Sequence, residues 1–397
     1  MQTKLGADYT ARIEIVDMLR GYAIMGLFMA HAVEFFGLYW AHPTKSIVHD
    51  IVFGLFEAKS FSLLALCFGL SFFIIMDRAA RKGVDFSGRF AWRLTILFVF
   101  GWIDGLMYSG EVLQMLAPLG LLLIPVHRIR ANAVLVVCGI LCLLQPFLLW
   151  QAWSAVHGAA WANQPPMFLS VGRSDVYIHG SFLDMIRVNM FEGQLEKWWY
   201  YVESGRMMQI VGLYLIGLVL GRIGFFTEPA RFATARRVTL AAVAVFGLSL
   251  YFAKASLVGL VPHGPTQGQA QNLASTIIDS LTNLSQMVFA VMLLVELYLG
   301  IGRKILSVLA PAGRMTLTLY VMQNFVFVPL YYGFGLGLHA KLTQIQALGL
   351  GVTFFLCQLV FAHLWFRAFV YGPLEWLWRS ATYLTLKVPF RKVRTAA

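Results

Sequence analysis

The stretch DMLRGYAIMGLFMAH, Asp17 to His31, opens on a carboxylate and a guanidinium, runs apolar through ten residues and stops at a histidine. Its middle has the character of a membrane span, and similar runs recur along the whole chain. Hydrophobic residues make up 59% and charged residues 13% of the 397, a balance far from that of a soluble domain. Runs of about 20 apolar residues suffice to cross a hydrocarbon core of roughly 30 Å at about 1.5 Å of rise per residue. Alternating segments of barrel-strand type are absent, so the runs read as helices. The expected fold is therefore an all-α polytopic membrane protein.

Ten candidate spans follow, at about 13–36, 56–76, 93–108, 112–126, 132–154, 206–226, 237–259, 273–300, 314–334 and 343–370. The third and fourth are short and joined by YSGE, as in a tight hairpin or a partly re-entrant pair. Basic residues cluster after alternate spans: Arg78, Arg81, Lys82, Arg89 and Arg93, then Arg128 and Arg130. Arg222, Arg231, Arg236 and Arg237 follow, then Arg303, Lys304 and Arg314, with Arg379, Lys387, Arg391, Lys392 and Arg394 in the tail. The positive-inside rule places all of these in the cytoplasm if both termini are there too. The formal charge of +12 is accounted for by that signature and by tail contact with anionic lipid, so no nucleic-acid partner is expected.

The N-terminal segment reads as a retained first helix, because Asp17 and Arg20 interrupt any signal-peptide core. Cys67, Cys138, Cys142 and Cys357 all fall inside predicted spans, and no disulfide or metal framework is expected from them. Residues 1–397 form a single transmembrane domain. Residues 156–205, rich in aromatics and charges, read as an extracytoplasmic loop or cap between two five-helix halves.

Eleven residues of helix turn the chain by about 1100° and advance it about 16 Å, so Arg20 and His31 share a face. Asp17 lies one turn before Arg20 and Glu34 one turn after His31, giving a polar stripe flanked by the small residues Ala23, Gly26 and Ala30. Asp17 and Arg20 also have the spacing of a plain helix-end ion pair. A titratable side chain at membrane depth is costly unless it faces a partner or a wet cavity, so the stripe should face inward. Candidate partners are Asp104 and Glu111, either of which would orient His31 as a general base, and Gln323 and Asn324 as hydrogen-bond donors. Glu57 and Lys59 read as the wet end of the second helix. There is no P-loop, no zinc-binding His pair and no nucleophile elbow.

RIEIVDMLRGYAIMGLFMAH, AKSFSLLALCFGLSFF, GRMTLTLYVMQNFVFVPLYYGFGLGL and YGPLEWLWR resemble, in this order, segments of the YeiB-like family of bacterial multi-pass membrane proteins. That family is similar to the transmembrane acyltransferase superfamily, with heparan-glucosaminide acetyltransferase and the sugar O-acyltransferases among its members. The latter carry an Arg, ten residues and a His in the first helix, matched here by Arg20 and His31. YeiB-like proteins usually have Asn in place of His31, His in place of Asp104, Asp in place of Glu111 and Asn in place of Leu319.

The resemblance implies a membrane acyltransferase of the bacterial inner membrane. It would move an acyl group, foremost acetyl from cytoplasmic acyl-CoA, to a hydroxyl or amine of an envelope glycan, lipid or exported small molecule. His31, with Asp104 or Glu111, would be catalytic; Arg20 and Asp17 would hold the donor, with Gln323 and Asn324 at the developing oxyanion. Acyl-CoA would be a co-substrate and no tightly bound cofactor is expected; a homodimer is compatible with such a chain. The second reading of the same stripe is a transporter or flippase of an anionic metabolite or lipid, with Arg20 on the anion and His31 relaying a proton.

Overall fold

A computed structural model describes residues 13–170, 174–262, 264 and 268–392. Arg394 and parts of the predicted cap and of the turn at 262–272 lie outside them. The first half runs α1 (Glu14–Val33), α2 (Ile47–Phe56), α3 (Lys59–Ala80), α4 (Ser87–Met107), α5 (Leu113–Gly120), α6 (Leu123–Val126), α7 (Asn132–Leu143) and α8 (Pro146–Val156). Three short helices follow, α9 (Ser174–His179), α10 (Phe182–Met190) and α11 (Glu192–Glu203), where the cap was expected. The second half comprises α12 (Arg206–Arg222), α13 (Ala233–Gly259), α14 (Gln269–Leu299), α15 (Arg303–Leu306), α16 (Ala310–Arg314), α17 (Thr316–Tyr331), α18 (Gln344–Ala368) and α19 (Pro373–Tyr383).

Among the described residues, seven helical segments are long and apolar enough to cross a membrane, or nine if each of two bent helix pairs counts as one. The fold is all-helical and polytopic, with fewer straight spans than the ten expected. Residues 112–126 are not one span: Pro118 lies inside α5, and the chain breaks before α6. The spans expected at 206–226 and 314–334 are the longer arms of the bent pairs, which turn by 66° between α11 and α12 and by 78° before α17. Gly205, at the first bend, has a left-handed φ of 71° that a side chain would resist.

The centre of the bundle is α1, whose Met18, Leu19, Ala23 and Phe28 are fully buried against α3, α16, α17 and α18. Small residues let backbones meet. A Cβ on Gly69 would strike the carbonyl of Tyr214, and one on Gly217 that of Leu66, so α3 and α12 touch backbone to backbone. At the periphery α13 packs on α14, tied by Lys254 to Asp279 at 2.6 Å and by Arg236 to Glu296 at 2.8 Å. Its exposed Val245, Phe246, Leu248 and Phe252 form the apolar surface a lipid-facing helix needs.

The GRMTLT and GPLEWLWR motifs close on each other. The hydroxyl of Thr318 donates to Glu375 Oε2 at 2.6 Å, the Thr318 N–H donates to Oε1 at 3.1 Å, and the Leu374 N–H donates to the Thr318 hydroxyl at 3.0 Å. This clamp fixes α19 across the start of α17. Thr318→Val removes a hydrogen bond to a charged acceptor, worth about 1.5–3 kcal/mol. A clear drop in the melting temperature of the detergent-solubilised protein is expected, and an unchanged melt would deny the clamp its role.

Candidate functional site

The polar end of α1 builds the site. His31 Nδ1 lies 2.8 Å from Glu34 Oε1, one turn on, as the i,i+3 spacing dictates. Tyr108, just past α4, places its hydroxyl 3.1 Å from the same nitrogen and 3.3 Å from Glu34 Oε1. The indole N–H of Trp40 donates to Glu34 Oε2 at 2.9 Å. Glu34 thus receives three donors, and with the imidazole proton on Nδ1 the free lone pair falls on Nε2. This is the orientation logic of a histidine general base.

The turn that folds Trp40 back is strained. Phe35 and Phe36 have φ of 50° and 53°, and Gly37 follows at 94°. Non-glycine residues in this region cost of order 1–3 kcal/mol each and persist only where surrounding packing imposes them. Phe36 is held by His31, Tyr108 and Phe327, with ring centroids 5.6, 5.1 and 5.9 Å away. Ala58, with φ of 58°, lines the same cavity from the start of α3.

That cavity has a volume of about 760 Å³. His31, Glu34 and Tyr108 line one side and the aromatic face of α11, with Tyr200 and Tyr201, lines another. Glu57 and Arg206 meet in it as an ion pair at 2.6 Å, with the guanidinium 5.1 Å from the Tyr200 ring centroid. Lys197 enters it from α11 and lies 3.8 Å from Glu111 Oε2. Burial holds the Glu111 carboxyl above the usual carboxylate range, although the Lys197 ammonium and the N–H groups of Gln114 and Leu113 pull it down.

A second cavity of about 200 Å³ lies further along the bundle. Arg20, Arg93, Thr316 and Trp378 line it together with apolar residues of α3, α4 and α5. Arg20 donates to the hydroxyl of Thr316 at 2.9 Å, and the Arg93 guanidinium lies 3.5 Å from the Trp378 ring centroid. Val112 lines both cavities, and its N–H donates to the Tyr320 hydroxyl at 3.3 Å. The turn carrying Tyr108, Glu111 and Val112 is thus the wall between them.

The expected residues do not gather at one place. Arg20 and His31 face one cavity each. Glu111 caps α5 through the N–H groups of Leu113 and Gln114, and Asp104 accepts from Asn324 Nδ2 at 2.6 Å. Neither carboxylate is the partner of His31 that the sequence led us to expect; Glu34 and Tyr108 take that place because they sit on the same turn and at the end of α4. Gln323 donates to Gln358 at 2.8 Å, so its amide N–H is used inside the core, as is that of Asn324. Asp17 is buried at the start of α1, its carbonyl pressed against Gly313. Tyr108, Lys197 and Arg206 escaped sequence reasoning. Glu57, read as a wet helix end, is an ion-paired cavity residue.

Residues 220–385 match the family described as "Protein of unknown function (DUF418)". The chain is similar over nearly its whole length to three bacterial proteins. It is 27% identical to "Uncharacterized protein YxaH" of Bacillus subtilis, over 96% of this chain and 97% of the relative. It is 25% identical to "Uncharacterized 39.9 kDa protein in amylase 3'region" of Bacillus acidopullulyticus, over 94% of each. It is 23% identical to "Uncharacterized protein YeiB" of Escherichia coli, over 92% of this chain and 95% of the relative. No solved structure matches. The resemblance to YeiB-like proteins therefore extends along the chain, while the family match itself covers the Thr318–Glu375 clamp and not the Arg20 and His31 stripe.

Proposed function

We propose that this YeiB-like chain is an acyltransferase of the bacterial inner membrane, moving an acyl group from cytoplasmic acyl-CoA to a hydroxyl or amine of an envelope glycan, lipid or exported small molecule. The observation that supports it best is one helix bearing an oriented His–Glu pair in a large cavity and an arginine in a second cavity, with one thin wall between. Arg20 binds the donor phosphates, with the termini on the cytoplasmic side, and the acyl thioester passes the wall at Val112. His31 Nε2 takes the proton of the acceptor O–H or N–H as the new bond to the acyl carbon forms. The C–S bond breaks, and the same proton returns from His31 to the CoA thiolate. Glu34 holds the imidazole and offsets the charge that forms on it, while Tyr108 fixes both.

Two cavities at opposite ends of a thin wall also suit an alternating-access transporter of an anion. Donor binding separates the readings. Calorimetric titration of the detergent-solubilised protein with acetyl-CoA and with CoA is expected to show saturable binding, weakened at least roughly tenfold in Arg20→Ala, as loss of a charge-assisted contact implies. Absence of binding at millimolar donor would overturn acyl transfer in favour of transport.

A further inference from the structure

We propose that Asp104, Asn324 and Glu111 form a buried site for one monovalent cation, a proton or a sodium ion, separate from the His31 pair. The site does not depend on the acyl-transfer reading. Asp104, Asn324 and Glu111 are each at most 1% exposed, and they come from α4, α17 and the wall between the cavities. The charges that reach Asp104 are the carboxylate of Glu111 and the ammonium of Lys197. Two carboxylates facing one ammonium leave one negative charge to be offset among buried side chains, an arrangement that calls for a further positive charge.

A second observation shows where that charge sits. Asn324 Nδ2 donates to Asp104 Oδ2, and this leaves Asp104 Oδ1 and Asn324 Oδ1 buried without a hydrogen-bond partner. Both are acceptors on a carboxyl and an amide already joined at their other atoms. A proton on Oδ1 turns Asp104 into an acid that donates to the amide oxygen and closes a doubly hydrogen-bonded acid–amide pair. A sodium ion takes the same two oxygens as ligands, as hard cations prefer.

The surroundings supply polar neighbours from every side. Gln114 of α5 donates to the Gly101 carbonyl at 2.9 Å, and Asn189 of α10 donates to that of Leu106 at 2.9 Å. A Cβ on Gly105 would come 2.6 Å from Gln114 Nε2, 3.1 Å from Gln194 Nε2 and 3.2 Å from Lys197 Nζ, so α5 and α11 converge on α4 at this level. Tyr320 of α17 faces both carboxylates, and Tyr201 of α11 faces Glu111.

The test compares wild type and Asp104→Asn, purified in detergent. Melting temperatures are read in sodium and in choline chloride at fixed pH, and infrared spectra are read for the carbonyl stretch of a protonated carboxyl. A melting temperature raised by sodium in wild type and insensitive to it in Asp104→Asn identifies the ion as sodium. Indifference to sodium with a protonated-carboxyl band that Asp104→Asn abolishes identifies it as a proton. A wild type without either response overturns the proposal. The wild-type spectra and melts decide that last outcome alone, even if Asp104→Asn fails to fold; Asn324→Leu, which removes the amide paired with Asp104, then replaces it and should shift the wild-type band or weaken the sodium response.

Discussion

His31→Ala is expected to lower acyl transfer by roughly 10²–10⁴-fold, the usual contribution of a positioned general base. Two of the carboxylates in its cavity are already engaged, since Glu57 is held by Arg206 at 2.6 Å and Glu34 serves three donors. Glu34→Gln should follow in the same direction with a smaller loss, because the ring loses the acceptor that fixes its tautomer. Tyr108→Phe should lose less again, since Glu34 still holds Nδ1. Acyl-CoA binding should survive all three, because the donor phosphates are assigned to Arg20 in the other cavity. Transfer at the wild-type rate by folded His31→Ala protein would remove the histidine from the chemistry.

The largest effect on folding is expected from Gly313→Val. A Cβ at Gly313 strikes the carbonyl of Asp17 and lies 2.9 Å from the Gly21 N, while a Cβ at Gly21 strikes the carbonyl of Leu309. The start of α1 and α16 therefore meet through bare backbone on both sides, and backbone cannot rotate away as a side chain can. Overpacking of this kind costs about 1–3 kcal/mol and sometimes more. With backbone as the obstacle, the upper end applies. Displacing α16 also moves Thr316 from Arg20, its 2.9 Å partner. Gly313→Val should fail to elute as a monodisperse peak, or should melt far below wild type. Gly349→Ala, inside α18 with open space around it, should not. Equal behaviour of the two would show that the contact is soft.

The stripe on α1 was legible because it depends only on helical spacing: His31 and Glu34 meet as an i,i+3 pair must. The segment 112–126 misled because its apolar run has span-like composition, while Pro118 and the break before α6 set its real path. The partners of His31 and of the cavity were out of reach for another reason. Tyr108 reaches His31 across 77 positions and Arg206 reaches Glu57 across 149, and no periodicity carries such separations. Asp104 and Asn324, 220 positions apart, were each visible as intramembrane polar residues but not as a pair. Glu375 stands in the GPLEWLWR segment that carries the family resemblance, and its physical task, clamping Thr318, is visible only in the fold.

The most direct measurement reconstitutes the protein in liposomes and supplies labelled acetyl-CoA on the side of Arg20 with envelope lipid and glycan extract on the side of His31. Acyl transfer predicts that wild type releases free CoA and moves label into the extract, and that His31→Ala does neither. Intact acetyl-CoA with wild type, in the presence of the full extract, would contradict it.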